Sequence, residues 1–388
     1  VFIFLIPYTA SLYNGLSRLF GMAFNIDYTV CIVIMAVLTG IYVIAGGYMA
    51  TAINDFIQGI VMLAGIVAVI FAVLRTNGGF LGSLSALSMV SDEAVSSNPG
   101  TFASFFGPDP LNLLGVIILT SLGTWGLPQM VQKFYAIKNE NAISKGAIIS
   151  TIFAIVIAGG CYFVGGFGRI FTTSEAVNAG GFDSIIPTML SNFSPVLIGL
   201  IVILVLSASM STLSSLVMAS SSTLTLDFIR TLTRKEMKDK TQLLLIRILI
   251  VFFILISVII AILQYKVGGN ANVKFIAQLM GVSWGALAGS FLAPFFFSLY
   301  WKRATKTAVF INFCFGSLLM IANLLFRTSF PALLVSPINC GAFAMLAGFI
   351  IVPVVSLLTK APEKELVDSA FSCYDSKVLV TAKHDLGE

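Results

Sequence analysis

Long uncharged stretches alternate along this chain with short polar segments. The stretches fall at about residues 1–22, 28–47, 54–75, 111–133, 147–171, 196–228, 243–265, 273–300, 307–326 and 337–359. Each approaches the roughly 20 consecutive apolar residues that a bilayer-spanning helix needs. The pattern predicts an all-α integral membrane protein with about ten spans. Residues 1–360 form a single transmembrane domain in this reading, with its first span shortened. Residues 361–388 are charged and show no apolar periodicity, which predicts a polar cytoplasmic tail.

One span is interrupted in an unusual way. Between Ile201 and Phe228 the apolar sequence carries Ser211, Thr212, Ser214, Ser215, Ser220, Ser221, Ser222, Thr223 and Asp227. On a helix, Ala208, Ser211, Thr212 and Ser215 share one face, because residues three and four apart stack above one another. Oxygens gathered on one face can replace the hydration shell of a small hard cation, which takes oxygen ligands. The stretch reads as half of an ion site. The competing role is structural, since membrane serines and threonines bond their own helix's carbonyls or let helices approach closely.

Composition and charge agree with a membrane reading. The chain is 58% hydrophobic and 10% charged, with 33 phenylalanines and 33 glycines, and its mean hydropathy is +1.00. A soluble domain does not need so apolar a composition. Lysine and arginine collect in alternate loops: Lys133, Lys138 and Lys145; Arg230, Arg234, Lys235, Lys238 and Lys240; Lys302, Arg303 and Lys306. Cytoplasmic loops carry this excess, so residues 76–110, 172–195 and the turns near 266–272 and 327–336 are expected outside, as loops. The net charge of +5 then reports topology, and no basic–aromatic patch points to nucleic acid.

Cys31, Cys161, Cys314, Cys340 and Cys373 are scattered without a C-x-x-C pair and read as small core residues. The only histidine, His384, lies in the tail. No protease or hydrolase motif occurs, so an enzyme is not expected.

Two further phrases carry chemistry. Gly46-Gly47, a short turn, and Asp55-Phe-Ile-Gln58 place a carboxylate at the start of an apolar span. Capping the helix would account for it, but an ionisable group there is also a functional candidate. In the span 111–133, Gly123, Gly126 and Pro128 must break the helical ladder. Such a break is tolerated where protein or a water-filled cavity satisfies the freed backbone, and transporters bind substrate at such breaks.

The segment Ala208-Ser-Met-Ser-Thr-Leu-Ser-Ser215, ending Ser-Thr-Leu-Thr-Leu-Asp227, resembles the sodium-site helix of the sodium/solute symporter family. The phrases around Asp55 and Pro128 resemble that family as well. The resemblance implies a LeuT-like core of two inverted five-helix repeats, with two extra C-terminal helices. The first core helices are expected upstream of this chain, so Val1 falls inside the third. It implies a main sodium site at Ala208, Ser211 and Thr212. By analogy with some relatives, it implies a second site at Asp55, Ser214 and Ser215, with Ser211 shared.

On the substrate side the resemblance puts Tyr8, Thr120, Ser121, Thr124, Trp125 and Gln278. Tyr8 and Trp125 otherwise serve as interfacial or packing aromatics, and Gln278 as a helix–helix hydrogen bonder. The function implied is sodium-coupled import of a small organic solute (amino acid, sugar, sialic acid or carboxylate) by alternating access. One or two Na+ ions and no organic cofactor are implied, in a bacterial plasma membrane. A passive channel would show charged rings or repeated filter loops, and none is present. A transporter-like solute sensor is the other alternative, and the short tail carries no obvious signalling domain.

Overall fold

The computed structural model describes residues 1–92, 95, 96, 98–131, 134, 137, 140–172, 177, 181–233, 237–267 and 276–374, leaving aside the side chains of 47–51, 140, 267 and 276. Lys133, Lys138, Arg234, Lys235 and most of the tail lie outside the described residues.

The described chain is helical: α1 (Phe2–Phe24), α2 (Tyr28–Thr76), α3 (Phe80–Ser88), α4 (Pro110–Ser121), α5 (Pro128–Val131), α6 (Glu140–Phe167), α7 (Ile185–Ser191), α8 (Pro195–Ser222), α9 (Asp239–Val267), α10 (Ile276–Tyr300), α11 (Lys306–Leu325), α12 (Pro337–Leu358) and α13 (Lys364–Phe371). Among the described residues, eight segments are long and apolar enough to cross a membrane. The two other expected spans have physical reasons for standing apart. α1 is long enough but buries Thr9, Ser11, Asn14 and Ser17. The span at 111–133 is broken after Ser121.

α2 is continuous by its backbone pattern over 49 residues, yet it does not run straight. Asn54 Nδ2 donates to the Tyr42 hydroxyl at 2.9 Å, whereas twelve residues of straight helix would separate them by about 18 Å. The chain therefore folds back between Tyr42 and Asn54. Two spans result, Tyr28–Gly46 and Ala52–Thr76, which is the turn that the glycine pair predicted. The first span begins at Asp27, whose carboxylate accepts from Thr29 N and Val30 N.

The contacts gather into two compact units, residues 1–113 with 153–280, and residues 114–152 with 281–388. The first unit centres on Leu19, Ile66, Val69, Val73, Leu87, Val164, Phe167, Met189, Leu190, Ile201 and Val202. Helix directions can be read from paired contacts within it. A Cβ on Gly59 would meet the Phe153 ring, and one on Gly160 would meet Ile66, so both partners advance together and these helices run parallel. Phe2 packs on Phe253 and Asn14 donates to Gln264 at 2.6 Å, so α1 and α9 are parallel too. Both pairs match the alternation of charged loops.

Two expected external loops hold short helices. α3 and α7 form because Leu87, Met189 and Leu190 bury in the first unit's core, a tertiary gain that outweighs their short length. Arg169 ties this region together. It pairs with Asp92 at 3.0 Å and lies over the rings of Phe102 and Phe182.

In the second unit, α10, α11 and α12 approach closely through small residues, as membrane helices do. A Cβ on Gly285 would fall 2.7 Å from the Gly341 Cα, and one on Gly316 would fall 2.6 Å from the Gly289 carbonyl carbon. Pro294 lies inside α10 and has no N–H to offer the Ser290 carbonyl. Asn312 of α11 supplies the missing donor: its Nδ2 reaches Ser290 O and Gly289 O, each at 3.1 Å.

The tail departs from expectation at its start. Leu366, Val367, Ala370 and Phe371 share one face of α13. Tyr374 donates to Leu299 O at 2.8 Å and Lys302 lies over the Phe371 ring, which holds the segment on the end of α10. The charges around this face hid its periodicity in the sequence.

Candidate functional site

The hydroxyl-rich span is a single helix. α8 runs from Pro195 to Ser222, continues as a π-helical segment over Thr223–Ile229, and ends in a helical turn at Arg230–Thr233. Packing separates buried from half-buried positions along it. Ser207, Ser209, Ser214, Ser220 and Ser221 are buried, the last three completely. Ala208, Ser211, Thr212 and Ser215 are half-buried. The four positions that share a face in the sequence thus stay together, along a strip that is neither sealed in the core nor fully in lipid.

Local hydrogen bonds take the form of the structural alternative. Thr212 Oγ1 donates to Ala208 O at 3.0 Å, and Ser214 Oγ donates to Ser211 O at 2.9 Å. A hydroxyl that gives its proton to its own helix keeps its oxygen lone pairs. Such bonds fix the rotamer and leave oxygen available for a cation, so these two bonds are compatible with both roles.

Asp55 is half-buried near the start of the second span of α2. A Cβ on Gly65 would meet Leu204 of α8, which registers the two helices. The charged loops predict that Ala52–Thr76 and α8 run in opposite directions. Ten residues back from Gly65 is Asp55, and ten residues on from Leu204 is Ser214. At about 1.5 Å per residue the two positions come to the same level. On the first span, Thr39 donates to Met35 O at 2.7 Å and faces Met210 Sδ at 3.6 Å, so both spans of α2 lie along α8.

The expected substrate residues fall in both units. Tyr8 and Gln278 belong to the first; Tyr8 is half-buried next to Pro7 of α1, and Gln278 is buried at the start of α10. Thr120, Ser121, Thr124 and Trp125 belong to the second and frame the break. α4 ends at Ser121, Gly123–Gly126 form a 3-10 turn, Leu127 is extended (φ −84, ψ 116), and α5 starts at Pro128. Thr120 Oγ1 donates to Val116 O at 2.8 Å and Thr124 Oγ1 to Ser121 O at 3.1 Å. The Trp125 ring is 60% exposed.

Glycines seat the break on α10. A Cβ on Gly126 would come within 3.0 Å of the Ala288 and Leu292 Cα atoms, and Gly123 faces Trp284 and Met345. Gln129, one residue beyond Pro128, is not among the expected site residues. It is buried, and neither its Oε1 nor its Nε2 has a hydrogen-bond partner among the described residues. An amide inside an otherwise apolar span was the available signal.

A helical membrane body with a hydroxyl strip on one span and a broken span elsewhere has the features expected of a transporter of small solutes. The sodium:solute symporter family matches residues 1–316, and the chain belongs to that family. A sodium/proline symporter of Staphylococcus aureus is 29% identical over 371 residues, covering 93% of this chain and 68% of the relative. The same symporter of S. aureus strain Newman matches to the same extent. A solved structure of a Na+-coupled sialic acid symporter, in a substrate-bound outward-open state, superposes with a TM-score of 0.66 at 17% identity. It covers 91% of this chain and 74% of that one, and it shows an all-α, LeuT-like membrane fold.

The chain is accordingly a multi-pass integral membrane protein that carries out sodium-coupled solute symport, with Na+ as the coupling ion. Its bacterial relatives put it in a bacterial plasma membrane. It is a transporter and not an enzyme.

Proposed function

We propose that this symporter imports a small solute of zero net charge, an amino acid of the proline kind foremost, and that α8 carries the coupling ion. The Ala208 carbonyl and the hydroxyls of Ser211 and Thr212 are its ligands on this helix. A second Na+ lies between Asp55 and the pair Ser214 and Ser215, with Ser211 shared. The observation that carries the main-site assignment is the half-buried strip of Ala208, Ser211, Thr212 and Ser215, distinct from the buried Ser207, Ser209, Ser220 and Ser221.

Thr120, Ser121, Thr124 and Trp125 contact the solute from the broken helix in the second unit. For Tyr8 and Gln278, in the first unit, a substrate role rests on the family resemblance alone. Two things support a cargo without net charge: the sodium/proline relatives, and the absence of any ionisable side chain from Pro110 to Val131. A segment without charge has nothing to offset the desolvation of an ionic cargo. Coupling follows from linkage, because an ion that raises solute affinity has its own affinity raised equally.

The test is uptake of radiolabelled L-proline into proteoliposomes holding the full-length protein. Uptake is expected to require an inward Na+ gradient. Equal uptake with K+ in place of Na+, at fixed pH and potential, overturns the coupling. Absence of proline uptake alongside sodium-driven uptake of an anionic solute overturns the cargo assignment alone.

A further inference from the structure

Gln129 stands out among the buried polar groups of the second unit. Its side chain is only 4% exposed, and both amide atoms are left without a partner among the described residues. Leaving a buried polar atom unsatisfied costs the full desolvation of that atom, and an amide carries two such atoms. Leucine at this position would remove that cost and suit the apolar sequence on either side.

The surroundings do not let the side chain escape. Leu127 beside it is completely buried, and Gly126 sits against the α10 backbone, where even a methyl group would come within 3.0 Å of two Cα atoms. The break is therefore docked firmly on α10, and Gln129 follows it by three residues. Pro128 contributes no N–H of its own, so the backbone offers the amide one donor fewer at this point.

We infer that Gln129 is a solute-recognising residue: its carboxamide completes its hydrogen bonds with the transported molecule. This rests on the symporter reading given above and names a contact that Thr120, Ser121, Thr124 and Trp125 do not supply. A carboxamide presents an acceptor beside a donor in one plane. Its complement is a solute with a donor next to an acceptor, such as the ammonium and carboxylate of a zwitterion or a pair of adjacent hydroxyls. A lone carboxylate would satisfy Nε2 and be repelled by Oε1, so the site disfavours simple anionic carboxylates.

The contact should show up as discrimination. A site built to hydrogen-bond a substrate loses affinity sharply when one partner is removed, because the other is left buried and unpaired. Loss of the amide therefore acts on solute affinity while leaving Na+ binding in the absence of solute unchanged.

The experiment uses the full-length protein in proteoliposomes with L-proline as the probe, N-acetylneuraminate as the anionic comparison, and saturating Na+. Gln129→Leu is expected to raise the KM for proline at least tenfold. Its Na+ affinity without solute, read by calorimetry, should match the unmutated protein. An unchanged KM together with a raised Tm overturns the inference, since it identifies Gln129 as a packing residue with a trapped water. If Gln129→Leu does not fold, Gln129→Glu and Gln129→Asn decide: an unchanged proline KM in both overturns it. If the unmutated protein takes up the anion in preference to proline, the complementarity argument is overturned while sodium coupling stands. If the unmutated protein shows no sodium-stimulated uptake of any solute, the symporter reading itself falls, and Gln129 falls with it.

Discussion

The Asn54 side chain donates to the Tyr42 hydroxyl at 2.9 Å across twelve residues of a backbone assigned as one helix. That bond bridges the fold-back between the two spans of α2, both of which lie along α8. It also brings Asp55 to the start of the second span, level with Ser214. The position of Asp55 thus depends on the fold-back, which makes the consequences of changing either residue measurable.

Breaking the fold-back bond should loosen the site without removing a ligand. Tyr42→Phe leaves the Asn54 amide short of an acceptor, at a cost of about 1 kcal/mol for a partly buried hydrogen bond. A fall in Tm with a smaller change in the Na+ concentration for half-maximal uptake is the expected result.

Ser211→Ala and Thr212→Ala each remove an oxygen from the half-buried strip of α8. Each should raise the Na+ concentration for half-maximal uptake several-fold, since water does not readily replace a ligand oxygen inside the fold. Ser207→Ala is the control, because Ser207 is buried and is not among the proposed ligands; it should leave the Na+ requirement where it was.

The number of ions is read from the shape of the Na+ dependence. With two sites, uptake rises sigmoidally with Na+, and Asp55→Asn lowers the Hill coefficient toward one. With Asp55 acting as a helix cap, asparagine would serve nearly as well, and the curve would not change. A hyperbolic dependence in the unmutated protein removes the second site.

Trp125→Ala and Ser121→Ala should weaken solute affinity more than Na+ affinity, because both frame the break in the second unit. Calorimetry at saturating Na+ decides it. Unchanged solute affinity in both variants would return Trp125 to the role of an interfacial anchor.

Asn312→Leu removes the donor that serves the Ser290 carbonyl freed by Pro294. A buried carbonyl is left unsatisfied, so stability should drop by about 1–3 kcal/mol. Restoring the missing backbone donor with Pro294→Ala in the same chain should recover part of the loss, and a thermal melt of the three variants measures it.

Much of this protein was legible in its sequence because lipid leaves few choices. A backbone crossing hydrocarbon must satisfy its own polar groups, so apolar runs marked the spans, glycines and Pro128 marked the break, and the spacing of Ala208, Ser211, Thr212 and Ser215 placed them together on the half-buried strip proposed for the ion. Short helices were missed: α3, α7 and α13 have at most nine residues each, too few for periodicity to stand out, and they form through tertiary contacts.

Tertiary structure alone decided which hydroxyls are sealed and which are accessible, because Ser214 and Ser215 are neighbours in sequence and differ only in what packs against them. It alone brought Asn312 to the carbonyl that Pro294 leaves open, since no local rule relates residues on different helices. Gln129 shows the same limit. The sequence displays an amide after a proline, but only packing shows that both of its polar atoms are enclosed without partners among the described residues, which is what makes it a candidate to hold a solute.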